Sequence, residues 1–233
     1  GTEHGGVAFD ASGVGRERLE EAYSAYVKRY RAVGMDIAEQ AMEIAPAAHT
    51  SLGGVYARPD CSTSVEGLFV CGETLGGLHG ANRIGGNAGL ETMVFGRRAG
   101  CSAAAYMDTL SGEPADCTDE ISDAAATVNI DALRAELTKI VGGALGVIRE
   151  AGKLEQAKTE LERMLEQIPE SGCYAQQRLR NDTLTAYAVT LAALERKTST
   201  GCHVRTDSAG EPEKYRVNIR CENGRAVPRR AEI

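Results

Sequence analysis

Residues 67–98 contain a glycine-rich stretch that constrains the chain more than any other feature. The stretch begins with the apolar residues 68–70, which predict a buried strand ending near Cys71. A glycine-dense loop follows, and a helix is expected to begin near Asn87. A strand, a glycine loop and a helix N-terminus together bring backbone N–H groups against a flat, negatively polarised ligand. The loop glycines are Gly76, Gly77, Gly80, Gly85 and Gly86.

The composition argues against several classes of protein. The 233 residues include 42% hydrophobic residues, which is enough for a sizeable core. A formal net charge of −7 argues against nucleic acid or an anionic membrane as the main partner. No apolar run approaches the ~20 residues that span a bilayer, so we expect no direct membrane insertion. Seven single cysteines without a CxxC pair argue against a metal site or a disulfide framework, and suit a reducing, cytoplasmic compartment.

The string GE-x(5)-HGANR-x-GGN-x(7)-FGRR, which runs from Gly72 to Arg98, resembles a known family. It is similar to the C-terminal flavin-contacting segment of the fumarate reductase/succinate dehydrogenase flavoproteins, a family that includes L-aspartate oxidase. The string GGVAFD at 5–10 resembles the strand at the exit of the family's capping domain. The resemblance implies an FAD-dependent oxidoreductase that acts on CH–CH groups, with a C4-dicarboxylate or similar enoate as substrate.

The resemblance also implies roles for two substrate-binding residues. The segment Pro46-x-x-His49-x-x-x-Gly-Gly is similar to one in which the family's histidine hydrogen-bonds a dicarboxylate, so His49 is a candidate substrate ligand. Arg83 is the candidate catalytic residue: it would clamp the substrate carboxylate and help to polarise the double bond. From the residue type alone, a structural histidine and an ordinary loop salt bridge remain open as alternatives.

Three further positions are candidates for contact with FAD. Glu73 matches the carboxylate that binds FAD in the family, although turn capping is an equal alternative from the sequence alone. By the same resemblance, the backbone N–H groups of Ala88 and Gly89 would face the flavin pyrimidine edge. There the helix dipole would stabilise negative charge on the reduced ring. His79 is expected to orient the loop, and no metal ligands are expected.

Helical periodicity predicts most of the remaining structure. Residues 16–33 predict one helix with Leu19, Ala22 and three tyrosines on its buried face. Apolar residues at three- and four-residue steps predict three antiparallel helices between 129 and 199, with breaks at Gly152 and at 169–172. Gly142, Gly143 and Gly146 would mark close helix contacts. The Asn-Gly pair at 223–224 predicts a β-hairpin. The tyrosines are Tyr23, Tyr26 and Tyr30.

The expected fold class is α+β: part of an FAD-binding domain, then a three-helix bundle and a C-terminal β-hairpin. The expected domains are a remnant of the capping domain at 1–40, the C-terminal part of the FAD-binding domain at 41–110, a linker at 111–128, the helical bundle at 129–200, and a C-terminal extension with the hairpin at 201–233.

The chain lacks a strand-linked GxGxxG with a downstream acidic residue, which a dinucleotide-binding flavoprotein needs. We therefore expect a C-terminal fragment or a split subunit that pairs with a missing N-terminal FAD and capping portion. Alone it should not reduce fumarate. An iron–sulfur subunit is a further expected partner, through which the protein would sit peripherally at the inner face of a membrane.

Two alternatives remain open. The first is L-aspartate oxidase, although the sequence Gly-Gly-Asn-Ala at 85–88 favours a reductase over the Ala-Ser-Asn-Ser expected in an oxidase. The second is a non-catalytic subunit-docking module made mainly of the helices. Residues 196–207 resemble the family's R-x-E-S-R-G-x-H-x-R-x-D, but Thr198 and Thr200 replace its glutamate and arginine. That departure removes any charge contacts these two positions would make.

Overall fold

The computed structural model describes residues 6–45, 49–112, 126–211 and 214–232. The chain divides into two compact units, Gly1–Ser51 and Leu52–Ile233. The expected α+β class is confirmed, with a helical bundle and a C-terminal antiparallel hairpin. No helix in these ranges is long and apolar enough to cross a membrane. The domain boundaries proposed from the sequence stay predictions, and most of the expected linker lies outside the described residues, as do Gly5 and Pro46.

The first unit consists of a two-stranded antiparallel ribbon and two short helices. Strand β1 (Val7–Phe9) pairs with β2 (Met42–Ile44), while α1 spans Arg16–Ala22 and α2 spans Ser24–Ala32. The prediction of one continuous helix over 16–33 was wrong, because the backbone leaves the helical region at Tyr23 (φ −130°, ψ 31°). The core of this unit consists of Ala11, Leu19, Val27, Ile37 and Met42.

The break at Tyr23 also changes which residues are buried. Tyr23 and Tyr26 are 53% and 59% exposed, and Ala22 is exposed, whereas Leu19 and Val27 are each only 4% exposed. A straight helix would have placed Tyr23 and Tyr26 beside Leu19, but here Val27 is buried instead. Tyr30 packs against this core, as predicted.

The second unit begins with extended chain that leads into the glycine loop. The predicted buried strand at 68–71 was wrong: only an isolated bridge joins Ser62 and Phe69, and Leu68 is 50% exposed. Two hydrogen bonds form this bridge: the N–H of Val70 donates to the carbonyl of Cys61 at 3.0 Å, and the N–H of Thr63 donates to the carbonyl of Leu68 at 2.9 Å. A 3-10 turn at Gly72–Thr74 precedes the loop, and α3 (Asn87–Met107) follows it.

Three helices form the largest core. They are α4 (Ile130–Ala144), α5 (Ala151–Gln167) and α6 (Tyr174–Glu195), and three helices over this region were predicted. Leu154, Leu161, Met164 and Leu179 are 0% exposed. Leu161, Met164 and Leu179 belong to one apolar cluster with side chains of α4, and its burial provides the main stabilisation of the bundle.

The glycines near the end of α4 do not play the predicted role. A Cβ built at Gly142, Gly143 or Gly146 would meet no atom within 4 Å, so these glycines mark no close helix contact. The break between α4 and α5 also lies earlier than Gly152, which belongs to the first turn of α5. The chain there forms β3 (Ile148–Arg149), so Ile148 is 70% exposed and not part of the helical face.

The C-terminal part adds two small sheets. Strand β3 pairs in parallel with β4 (Val204–Arg205), which connects the start of α5 to the segment after α6. Strands β5 (Tyr215–Glu222) and β6 (Arg225–Glu232) form an antiparallel hairpin. Its two-residue turn, Asn223-Gly224, has positive φ at both positions (51° and 75°). This confirms the hairpin expected from the Asn-Gly pair.

Candidate functional site

The glycine loop is held at its first end by a close approach between two backbone segments. A Cβ at Gly54 would lie 2.2 Å from the carbonyl oxygen of Thr74, and one at Gly76 would lie 2.8 Å from the carbonyl oxygen of Gly54. The N–H of Val55 donates to the carbonyl of Thr74 at 2.8 Å, and the N–H of Gly76 donates to the carbonyl of Val55 at 3.0 Å. Gly54 therefore approaches the chain's own backbone and fixes where the loop begins.

Glu73 lies within the 3-10 turn Gly72–Thr74, and its side chain is exposed. An exposed carboxylate at the start of the loop is accessible to a ligand. Its contact with FAD stays a prediction.

The loop ends at an open helix N-terminus. Gly86 is the N-cap of α3, with left-handed backbone (φ 86°), and no side chain caps this end of the helix. The N–H groups of Ala88 and Gly89 belong to the first turn, where a helix offers no carbonyl acceptor of its own. A Cβ built at Gly85, Gly86 or Gly89 would meet nothing within 4 Å. Free donors, a positive dipole end and open space fit the electron-rich pyrimidine edge of a flavin.

Arg83 lies between these two ends and is partly buried. Among the residues that the structure describes, no carboxylate forms an ion pair with its guanidinium. A half-buried cation without an anionic partner carries a desolvation cost that a bound carboxylate would offset. The local structure therefore suits a carboxylate ligand, and the salt bridge that remained open from the sequence is not formed within the described residues.

His79 and Glu91 link the loop to α3. The Nε2 atom of His79 lies 2.6 Å from Oε2 of Glu91, whose side chain is 6% exposed. This contact fits the orienting role expected for His79. The role of Glu91 was not predicted, since a single glutamate one turn into a helix is usually a solvated side chain.

His49 is exposed and lies in the first unit, whereas Arg83 lies in the second. The role of His49 as a substrate ligand stays a prediction.

A segment far along the chain also contacts the loop. The N–H of Cys202 donates to the carbonyl of Ala81 at 3.0 Å, and the thiol of Cys202 lies 3.4 Å from Oδ1 of Asn82. The side chain of Asn82 therefore contacts a residue 120 positions further along the chain. Neither residue type marks such a contact, because the pairing depends on tertiary structure alone.

Comparisons with known proteins agree with this geometry. Residues 1–88 match the model of an FAD binding domain, and residues 134–218 match that of the fumarate reductase flavoprotein C-terminal region. The chain is 34% identical over 226 residues to a fumarate reductase (CoM/CoB) subunit of Methanothermobacter marburgensis, covering 89% of this chain and 41% of that protein. It is also 34% identical over 204 residues to an L-aspartate oxidase of Rhodospirillum rubrum, covering 87% of this chain and 71% of that protein.

The fold agrees as well. The E. coli quinol fumarate reductase chain FrdA superposes with a TM-score of 0.83 at 23% identity, over all of this chain and 45% of that one. At that identity the likeness establishes the fold alone.

These matches place the chain in a class of FAD-dependent flavoproteins. The chain belongs to the fumarate reductase/succinate dehydrogenase flavoprotein family, of which L-aspartate oxidase is also a member. It spans about two fifths of the length of the first curated relatives that it matches.

Proposed function

We propose that this chain is the portion of an FAD-dependent oxidoreductase that binds a C4-dicarboxylate or similar enoate. The observation that carries the proposal is the partly buried guanidinium of Arg83, which has no acidic partner among the described residues and lies in a loop that ends at an open helix N-terminus. When bound, FAD would supply the hydride acceptor or donor. Glu73 and the N–H groups of Ala88 and Gly89 would hold it.

Arg83 would act in two ways on the substrate. Its planar fork of N–H donors matches a carboxylate bidentately, which fixes the position of the reacting double bond. Its positive charge would also withdraw electron density from that bond as hydride is added. His49 would hold the second carboxylate by a hydrogen bond. These roles are inferred from the family and from the surroundings of Arg83.

The test compares three arginine variants of the whole protein carrying its flavin. Arg83→Ala and Arg83→Lys are assayed for fumarate reduction with an artificial one-electron donor, and Arg97→Ala, on the exposed surface of α3, is the matched control. Loss of a charged hydrogen bond to substrate costs about 1.5–3 kcal/mol, so Arg83→Ala should lower kcat/KM by about tenfold to a hundredfold or more.

Arg83→Lys should recover only part of this loss, because an ammonium lacks the fork geometry. Flavin content, read from visible absorbance, should be the same in all variants. Unchanged kcat/KM in Arg83→Ala would refute the proposed role of Arg83. If that variant stayed active while deletion of 129–199 abolished assembly, the docking-module alternative would be supported instead.

L-Aspartate oxidase activity is the second candidate, and the 34% identical Rhodospirillum rubrum relative favours it. Both substrates are C4-dicarboxylates, so Arg83 would serve either reaction. The two are separated without oxygen, by supplying the oxidised whole protein with L-aspartate, or the pre-reduced whole protein with fumarate, and measuring the flavin oxidation state. Flavin reduction by aspartate would favour the oxidase.

We further propose that the protein receives or passes on electrons through a partner subunit with an iron–sulfur cluster, and through it lies at the inner face of a membrane. Purification from native membranes under mild conditions tests this. Iron and acid-labile sulfide should co-elute with the chain, and their absence from an active preparation would contradict the proposal.

A further inference from the structure

A tight turn at Thr200–His203, here called the 200–203 turn, lies against the loop that carries Arg83. Its Cys202 makes two contacts with the residues just before that arginine. The N–H of Cys202 donates to the carbonyl of Ala81 at 3.0 Å, and its thiol lies 3.4 Å from Oδ1 of Asn82. The two residues preceding Arg83 are therefore both bound by the same turn.

The fit between the turn and the loop leaves no room for a side chain. Gly201 has positive φ (53°), and a Cβ at this position would lie 2.3 Å from the carbonyl oxygen and 2.7 Å from the Cβ of Ala81. Non-bonded atoms do not approach so closely, so a side chain here would displace Ala81 or the turn. The position of Ala81 is thus set by direct backbone contact with Gly201.

The turn is itself held rigidly. The N–H of Thr200 donates to the carbonyl of His203 at 2.8 Å, and the N–H of His203 donates back at 3.0 Å. Nη1 of Arg149 lies 3.0 Å from Nδ1 of His203, and Nε2 of His203 lies 2.9 Å from the carbonyl oxygen of Arg196. Since a guanidinium only donates, Nδ1 accepts, and the neutral ring donates its Nε2 proton to Arg196.

The groups that hold His203 belong to the helical domain. Arg149 lies in β3 between α4 and α5, and Arg196 is the C-terminal cap of α6. The N–H of Val204 donates to the carbonyl of Val147 at 3.0 Å, which fixes the strand that follows the turn. A set of hydrogen bonds therefore runs from the end of α6 and from the segment between α4 and α5, through the turn, to Ala81.

We propose that the 200–203 turn is a positioning element that holds Arg83 where it meets the substrate carboxylate. Gly201 and His203 act through Ala81 and Asn82, and they touch no substrate themselves. The helical domain would thereby set substrate affinity in addition to its structural role. This inference rests on the proposed function of Arg83.

The decisive experiment compares Gly201→Ala with Gly210→Ala in the whole protein carrying its flavin. Both glycines have positive φ, so an alanine is strained at either position, but a Cβ at Gly210 (φ 88°) would meet nothing within 4 Å. Gly210→Ala therefore reports the effect of backbone strain alone, and any further effect of Gly201→Ala comes from displacement of the loop. Two readouts are taken: KM and kcat for fumarate, and hydrogen exchange of the peptide that covers 79–86.

In Gly201→Ala we expect faster exchange over 79–86 and a KM raised about tenfold or more, with kcat reduced less and flavin content unchanged. Gly210→Ala should match the parent in both readouts. A contact that serves structure alone would lower stability and leave the KM of the folded protein within about twofold. That result, or unchanged exchange in Gly201→Ala, would overturn the positioning role.

Hydrogen exchange separates this inference from the proposed function. Exchange reports on the contact between the turn and the loop whatever the substrate, whereas Arg83→Ala tests the role of the arginine. Should Arg83→Ala retain normal kcat/KM, the proposed function fails and the positioning role fails with it, even if exchange is faster. With Arg83→Ala impaired, unchanged KM in Gly201→Ala overturns the positioning role alone.

If Gly201→Ala does not fold, variants of His203 test the positioning role of the turn. His203→Ala removes the acceptor for Arg149 and the donor to Arg196, and should raise KM in the same direction. His203→Asn keeps an oxygen acceptor near the position of Nδ1 and should recover part of the loss. Absence of both the KM increase and the recovery would overturn the role of His203.

Discussion

The imidazole of His79 and the carboxylate of Glu91 meet at 2.6 Å and join the glycine loop to the first turns of α3. Glu91 uses only one of its oxygens in this contact. Its Oε1 is buried and has no hydrogen-bond partner within the described residues. We therefore expect the stability of the protein to fall when the Glu91 side chain is removed, and to change little when a substitution keeps one acceptor for His79.

Substitution of Glu91 tests the pair. Glu91→Gln keeps an acceptor for His79 and should change the free energy of unfolding by less than about 1 kcal/mol. Glu91→Ala leaves the imidazole without its partner in a partly buried position, and should cost about 1–3 kcal/mol. Urea unfolding of the whole protein measures both, with Glu166→Ala on the exposed surface of α5 as the control. Equal stability of Glu91→Ala and the parent would refute the role of the pair.

The protonation of His203 predicts a pH dependence. Burial, together with the guanidinium groups of Arg149, Arg205 and Arg196, lowers the pKa of His203 below its usual 6.5. Well above pH 6.5 the ring is neutral in the folded and unfolded chains, and its contribution to stability is fully present. As the pH falls below 6.5, the unfolded chain takes up a proton that the folded chain excludes, so stability falls until the folded pKa is reached.

The measurement is unfolding free energy between pH 7.5 and pH 5, in the parent and in His203→Asn. The parent should lose more stability over this range than the variant, which has no titrating ring at that position. Parallel curves for the two proteins would contradict the assignment of a neutral, buried His203.

Two leucines of the helical domain allow a matched test of its core. Leu161 is 0% exposed, whereas Leu184 is 41% exposed. Leu161→Ala should lower the free energy of unfolding by about 2–5 kcal/mol, because a cavity remains between α5 and its neighbours. Leu184→Ala should cost no more than about 1 kcal/mol. The free energy of unfolding is measured by denaturant titration, with far-UV circular dichroism as the signal. A similar loss of stability in both variants would show that Leu161 does not lie in the main core.

Two glycines should respond with opposite sign to the same substitution. Gly142 lies in α4 with open space around it, so Gly142→Ala should stabilise by about 0.5–1 kcal/mol through helix propensity. Gly54 has φ 150°, and a Cβ there would strike the carbonyl of Thr74, so Gly54→Ala should destabilise. Thermal unfolding measures both effects: Tm should rise in Gly142→Ala and fall in Gly54→Ala. A higher Tm for Gly54→Ala would contradict the close backbone approach.

The elements that the sequence predicts well are those specified by nearby residues. The three helices between 130 and 195 follow from apolar residues spaced by three and four, and the hairpin follows from Asn223-Gly224. The glycine loop follows from a run of nearby glycines, and the family resemblance adds a role for Arg83 that stays a prediction.

The features that the sequence did not predict depend on distant contacts. Residues 68–71 have the composition of a buried strand, yet a strand forms only where a neighbour pairs along its length, and here a single bridge does so. The break at Tyr23 has no glycine or proline to mark it. Glu91 and Cys202 look like ordinary surface residues until the chain places them beside His79 and Asn82.

The contact between Asn82 and Cys202 has a consequence for the order in which the molecule assembles. The two residues are 120 positions apart, and α4, α5 and α6 lie between them. Closing so long a loop costs conformational entropy. The folded helices reduce this cost, because they shorten the flexible chain between the two residues. The loop that carries Arg83 should therefore reach its final shape late in folding, after the helices have packed, and it should be among the first regions to open when the protein begins to unfold.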